Sequence, residues 1–556
     1  MMPIKKINFT TGFLWDCCFY LALLVYGTGL FVEILEPDAS LYAELSREIF
    51  VSGNYWDIML RGVDWLDKPH LQFWITAGAY HLFHHALIGY KLPAILAVLI
   101  SVWYTHQFAA RYYAAKQATL AALILMTAQH IITSNMDVRA EPYLTLFTII
   151  ALYHIAVFID TKKLFHLFIC SVALAALIMT KGVFTIIPIA AGVGCSLLYK
   201  KDWKSIFHWQ WLLCLVITFI CTIPALYAYY QQFDMHPEKI VFEQQNVSGI
   251  RFFLYDSQFG RFFNNGPIKG SGDPFFFVHT LLWAFLPWAF IAYYALFQKS
   301  RQLIKHTTKT EHYTYFGFMV MFLIFSTSKF QLAHYLNPIF PLLAIICADA
   351  IVKASEKAIR ILTMFQVATM VLLLLAVSCL IYFFQVSMLH IDTLLIMVVF
   401  IALGIFIFTH KNTIPLFRLV FVPALIVLSI NYYLNREFYP ELTKYQSETA
   451  VADYFLKEEL PVDSLATLNF LEFGSSFKLN MAIPAFELNN VTRKAIANKY
   501  IFTSEAGLAK IDSFHFPTKI IKTFYGFHVT MLTGEFINKS TRASVLTPTY
   551  LVKLGR

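Results

Sequence analysis

Apolar runs of about twenty residues recur from near the N-terminus to residue 434, and they decide what this chain can fold into. A helix of about 20 residues crosses the ~30 Å hydrocarbon core of a bilayer, and its backbone hydrogen bonds are all made within the segment. The chain is 58% hydrophobic and 17% aromatic, above the ~45–50% apolar share of soluble proteins. The expectation is a polytopic α-helical membrane protein. The first run, Phe13 to Val32, carries only Asp16 near its start and has no small-residue cleavage site after it, so it is read as a retained helix.

The net charge of +9 comes from lysines and arginines in short connectors and forms no basic tract, so it reports topology and not a nucleic-acid partner. Lys5 and Lys6 place the N-terminus in the cytoplasm and the loop from Glu33 to His70 outside. Leu71–Leu87, interrupted by His81, His84 and His85, is read as an interfacial helix, because counting it as a span would invert every later loop. The remaining spans run over 92–110, 119–132, 142–159, 164–179, 183–199, 209–229, 275–297, 313–326, 335–352, 362–384, 394–409 and 419–434. With the first, that is about thirteen transmembrane helices, and the predicted inner loops carry Arg111, Lys162, Lys200, Lys299, Lys309, Lys353 and Lys411. All eight cysteines lie in apolar runs, which offers neither a disulfide framework nor a zinc spacing.

The division expected is a transmembrane catalytic domain over 1–434 and a periplasmic domain over 435–556. The latter combines a helical pattern from Tyr445 to Leu460 with β-rich runs at Ala466–Phe470, Ala482–Leu488 and Tyr550–Leu554. It reads as a small α/β unit without a nucleophile, metal or phosphate motif, a cap or acceptor-docking module.

Ionisable residues gather on the outer side. The first loop holds Glu36-Pro37-Asp38, Tyr42-Ala43-Glu44 and Asp67-Lys68-Pro69; the second holds Asn135, Asp137, Arg139 and Glu141. The long third loop, Gln231–Asp273, adds Arg251 and Arg261, and a fourth adds Lys329, His334 and Tyr335. Asp38 fits either an N-cap for a helix beginning at Ala39 or a catalytic base. The Asp67-Lys68 turn fits either a surface turn or a phosphate-binding lysine. Few charges fall at the expected midplane, where an ion-coupled transporter would carry them. One-sided chemistry at a lipid surface suggests a lipid with a polar head. A sugar joined through phosphate to a polyprenyl chain needs one carboxylate base and cations for the departing phosphate.

The first-loop motifs, followed by Lys91-Leu92-Pro93, Thr180-Lys181-Gly182, Arg261 with Pro274-Phe275-Phe276, Pro287-Trp288, and Lys329 through His334-Tyr335 to Pro338 and Pro341, resemble the ArnT and protein O-mannosyltransferase superfamily. These are GT-C membrane glycosyltransferases that use polyprenyl-phosphate sugars. The resemblance implies a GT-C fold in the bacterial inner membrane, transferring one sugar from a polyprenyl (undecaprenyl) phosphate donor to a lipid A-like, protein or other glycan acceptor at the periplasmic face. It implies Asp38 as the principal catalytic carboxylate, with the second-loop acid at Glu141 if Pro142 is the anchor, or at Asp137. Lys68, Arg261 and Lys329 become donor-phosphate contacts, and Glu36, Tyr42, Glu44, Asp67, His334 and Tyr335 substrate contacts. Departures from aminoarabinose transferases are Leu41 in place of an arginine and His70 in place of a second proline. Asp67 lies where some relatives have a zinc-ligating glutamate, but His236, His279 and His334 read as structural, so no ligand set is assigned and a divalent cation stays open. The rival classes are a flippase of lipid-linked sugars, which predicts pseudo-symmetric halves, and a non-catalytic assembly protein, which predicts loss of Asp38 or Lys68.

Overall fold

The structure, a computed structural model, describes residues 9–83, 87–265, 269–307, 310–386, 390–409, 415–468, 473–486, 499–513 and 517–554. Lys5, Lys6, Lys309 and Lys411 lie outside the described residues, as do the ends of the expected β-runs at 469–470 and 487–488.

Every apolar run folds as helix, whole or in pieces. Among the described residues nine helices are long and apolar enough to cross a membrane, and three shorter apolar helices accompany them, Ala115–Met126, Tyr313–Thr327 and Ile391–Ile407. The chain is a multi-pass membrane protein. In order, α1 (Phe9–Gly29) is followed by α2 (Pro37–Ser52), a hairpin of β1 (Met59–Leu60) and β2 (Val63–Asp64), and α3 (Leu71–Phe83). Next come α4 (Leu87–Tyr112), α5 (Ala115–Met126), α6 (Gln129–Thr133), α7 (Glu141–Thr161), α8 (Leu164–Lys181) and α9 (Ile187–Lys200). At 13 residues α3 is too short to span.

Two expected spans are broken. The run over 119–132 divides into α5 and α6 at Thr127–Ala128, where the Thr127 hydroxyl bonds back to Leu123 O at 2.6 Å and accepts from Trp288 Nε1 at 3.1 Å. The run over 275–297 divides into Phe276–Ala284 and Ala289–Ile304 around Pro287, which has no N–H to continue the ladder. The third loop departs from expectation: residues 249–263 are helical, with the Ser248 side chain accepting from Arg251 N at 3.1 Å and wide π-type turns over Phe252–Gly260.

The C-terminal residues form a five-stranded sheet in the order β4-β3-β5-β7-β6, from β3 (Leu465–Leu468), β4 (Ala485–Phe486), β5 (Tyr500–Ser504), β6 (Thr518–Gly526) and β7 (Thr547–Leu554). β3 is parallel to β4 and β5, and the β5–β7 and β7–β6 pairs are antiparallel. Side chains alternate between the faces as a strand requires. Leu465, Phe502 and Leu551 pack with Val451 and Phe455 of helix Ser447–Lys457, while Ala466, Ile501 and Val552 pack with Ile511 of helix Glu505–Ser513.

This unit clamps the first loop. Phe477 inserts among Ile34, Ala39, Ala43, Tyr80 and Tyr90, and Lys478 Nζ reaches Glu33 at 2.9 Å. Gln446 Nε2 donates to Leu35 O at 2.9 Å. Arg61, left-handed at the tip of the β1–β2 hairpin (φ 53°), reaches Ser476 Oγ at 3.1 Å and lies over the Phe473 ring. The expected cap therefore rests on the helix that carries Asp38.

Candidate functional site

The site is built around the N-terminus of α2. Glu36, not Asp38, is the N-cap: its Oε2 accepts from Asp38 N at 3.1 Å, and Pro37 occupies the first helical position. With the capping role taken, the Asp38 carboxylate stands in the first turn with its side chain 56% exposed.

Three groups hold this turn and the chain leading into it, Lys91 and Tyr90 buried and Asp137 half-buried. Lys91 Nζ donates to Val32 O, just past the end of α1, at 2.5 Å, and to Gly29 O, the last residue of α1, at 3.4 Å. The Tyr90 hydroxyl bridges the carbonyls of Ala39 (2.7 Å) and Val138 (2.6 Å). Asp137 Oδ1 accepts from Leu35 N at 2.8 Å and Glu36 N at 3.3 Å. Burial pushes the Asp137 carboxyl up, against the opposing pull of Lys91 and these two N–H groups. Asp137 thus ties the first loop to the second, while the Glu141 carboxylate lies against Lys181 and His334.

In front of the turn runs a chain of charges. Arg139 pairs with Glu36, has Nη1 4.0 Å from Asp38 Oδ2, and donates from Nη1 to His334 Nδ1 at 3.0 Å. An arginine can only donate, so Nδ1 is the acceptor and the ring proton sits on Nε2, which lies 3.7 Å from Glu141 Oε1. Glu141 is ion-paired with Lys181, and Lys181 Nζ lies 4.4 Å from the Tyr335 ring centroid. Burial raises the Glu36 carboxyl, opposed by Arg139 and reinforced by Asp38 and Asp137.

Lys68 and Lys181 stand at the polar end of a cavity of about 530 Å³ whose other walls include Phe184, Ile187, Phe262, Phe263, Ile324, Phe325 and Phe330. Lys68 Nζ is 2.8 Å from Asp67 Oδ2 and only 15% of its side chain is exposed. Tyr42 is buried close to three carboxylates, those of Asp38, Asp67 and Glu141. Burial raises its hydroxyl well above the usual range, and Asp38, Asp67 and Glu141 each add to that shift. Gly182 (φ 103°) ends α8 in a conformation suited to glycine, and a Cβ there would fall 2.0 Å from Gln258 Nε2, which donates to Lys181 O at 3.2 Å.

Asp38, Glu36, Tyr42, Asp67, Lys68, Glu141, His334 and Tyr335 are thus brought together. Glu44 is not: it is buried about 120° around α2 from Asp38, in a two-bond pair with Arg47 at 2.7 Å. Lys329 is exposed, its N donating to Phe262 O at 3.2 Å, between cavity-lining Ser328 and Phe330. Arg261 begins the short helix Arg261–Phe263, and its side chain lies outside the described residues. The sequence assigned no role to Arg139 or Lys181. The signal for Lys181 was its place at the expected outer end of a span, where the positive-inside rule disfavours lysine. Among the described residues no three or more His, Cys, Asp or Glu side chains gather as a metal site, and His236 and His279 pair instead with Glu238 and Asp273. His70 is buried beside Tyr229 and Trp74, with Nε2 3.0 Å from Trp56 O, and burial lowers it to about 4.

A family model described as dolichyl-phosphate-mannose-protein mannosyltransferase matches residues 67–227. An uncharacterised protein of Aquifex aeolicus is 26% identical over 364 residues, 64% of this chain and 68% of its own. The undecaprenyl phosphate-alpha-4-amino-4-deoxy-L-arabinose arabinosyl transferase 1 of Pseudomonas fluorescens is 23% identical over 371 residues, 66% of this chain and 61% of its own. The alignment thus leaves more than a third of that transferase uncovered. The crystal structure of ArnT from Cupriavidus metallidurans bound to undecaprenyl phosphate superimposes with a TM-score of 0.72 at 17% identity, covering 98% of each chain.

Proposed function

We propose that this ArnT-like protein of GT-C fold is a glycosyltransferase that moves one sugar from a polyprenyl-phosphate donor to an acceptor at the outer face of the bacterial inner membrane. The observation that carries the reading is the amphipathic cavity: two lysines at one end, apolar walls beyond them, and a carboxylate cluster beside the lysines. Such a cavity suits a phosphate on a polyisoprenoid tail, and the ArnT neighbour holds undecaprenyl phosphate.

In the reaction the acceptor oxygen attacks the anomeric carbon, the bond from that carbon to the phosphate oxygen breaks, and the lipid phosphate leaves with the bonding electrons. Asp38, the accessible carboxylate, takes the acceptor proton. Lys68 and Lys181 meet the charge that grows on the phosphate as it departs. Arg139 positions Asp38 through Glu36, and Glu141 holds Lys181. Where the acceptor is itself a phosphate, Asp38 has no proton to take and orients the acceptor instead. Lipid A is the acceptor suggested by the aminoarabinose transferases, and residues from 435 onward serve as the periplasmic cap.

The test is mass spectrometry of lipid A and of periplasmic glycoproteins from cells lacking the protein, complemented with wild type or with Asp38→Asn. One sugar mass should disappear and return only with wild type. Restoration by Asp38→Asn overturns the assignment of the base.

A further inference from the structure

The third outer loop encloses a second cavity, of about 720 Å³, that the transfer chemistry above does not use. Its chemistry is unlike that of the donor cavity. Its lining includes the exposed side-chain amides of Gln244, Gln245 and Asn246, Arg251 with Asp256, and the exposed rings of Tyr255 and Phe259, 5.1 Å apart. Phe259 and Phe263 line both cavities, so the two share a wall.

The loop is built, not loose. Asp234 accepts from Ser248 Oγ at 2.5 Å and from Ile250 N at 3.1 Å, and Asn246 N donates to Pro237 O at 3.0 Å. Phe242, Glu243 and Asn246 all have left-handed backbones, with φ of 52°, 61° and 58°. Sparsely populated backbone conformations of this kind gather at ligand clamps.

Side-chain amides pair with adjacent hydroxyls through one donor and one acceptor each, and an aromatic face covers the C–H face of a pyranose ring. Arg251 is 74% exposed, with Nε 3.5 Å from Asp256, so most of its fork is open for an anion. We propose that this cavity binds a phosphorylated oligosaccharide, the part of a glycan acceptor remote from the attacked group, on the far side of the Phe259–Phe263 wall from the donor. The role as acceptor subsite rests on the glycosyl-transfer reading, whereas the binding itself does not.

The test uses the full chain in lipid nanodiscs and, as probe, the deacylated phosphorylated oligosaccharide of bacterial lipopolysaccharide, titrated by calorimetry. Wild type should bind it, and Arg251→Ala and Tyr255→Ala should each weaken binding about tenfold or more, with undecaprenyl phosphate binding unchanged. Enzymatic removal of the probe's phosphates should abolish the effect of Arg251→Ala and preserve that of Tyr255→Ala. No binding by wild type, or equal binding by wild type and both variants, overturns the proposal. Binding without any sugar transfer would overturn the transferase reading and leave the cavity assignment standing.

Discussion

Arg139 Nη1 donates to His334 Nδ1 at 3.0 Å, so a residue of the second loop and one at the start of a late span are held in register across the site. The same guanidinium pairs with Glu36, the N-cap of the helix carrying Asp38. A point charge cannot replace this fork. Arg139→Lys should lower kcat about ten- to a hundredfold with donor KM little changed, the pattern of a misplaced reactive group. Arg139 also opposes the upward shift that burial imposes on Glu36. Lysine keeps that charge, whereas Arg139→Gln removes it and sends the Glu36 carboxyl higher still, so the acidic limb that Glu36 sets through its hold on the Asp38 turn should move to higher pH in Arg139→Gln. An unmoved limb with reduced kcat would assign Arg139 a purely steric role.

Glu141 and Lys181 close the adjoining ends of α7 and α8, with side chains 2% and 11% exposed. Glu141→Ala removes the carboxylate from a buried ammonium and should cost about 3–5 kcal/mol of stability. The double change Glu141→Leu with Lys181→Met removes both charges and should recover most of that loss in denaturant unfolding, while sugar transfer stays absent. Additive destabilisation in the double variant would show that the two residues act separately.

How far the sequence spoke depends on which geometry a residue's role needs. The spans were legible because burial in lipid demands continuous apolar length, and the breaks at Thr127 and Pro287 were not, because a membrane run stays apolar across a kink. Asp38, Lys68, Glu141 and His334 could be assigned to one side of the membrane by counting basic loops. Glu36 and Glu44 are indistinguishable as letters. Only the start of α2 at Pro37 decides that Glu36 caps the helix and Glu44 turns to Arg47. Helix 249–263 stayed hidden because its wide turns break the 3.6-residue period by which helices are recognised. Arg139 stood in plain view within a dense cluster, but its partners lie 103 and 195 residues away along the chain.

Gly182 allows Gln258 to approach the end of α8 closely. Gly182→Ala introduces a Cβ into the Gln258 amide and imposes a left-handed backbone on a residue with a side chain, a cost of about 1 kcal/mol or more. The amide then leaves Lys181 O, and the cavity proposed for the donor widens beside Lys181. Undecaprenyl phosphate binding should weaken about tenfold, while Gln258→Ala in the Gly182→Ala background, having removed the clash, should restore part of it. Unchanged binding in Gly182→Ala would separate this contact from the donor site.

Glu448, in the first turn of helix Ser447–Lys457, lies at the junction between the C-terminal sheet unit and the first loop. Burial raises its carboxyl from 4.5 to about 7, although Gly474 N–H and Arg61 pull the other way. A carboxyl raised on folding favours the protonated protein, so its contribution to stability is complete below about pH 4.5 and is lost as the pH rises through about 7. The melting temperature of the purified protein should therefore fall by about two degrees between about pH 5 and pH 7. Glu448→Gln carries the neutral form at every pH and should flatten that slope while matching the wild-type melting temperature at the acidic end. An equal slope in Glu448→Gln would place the titrating group elsewhere.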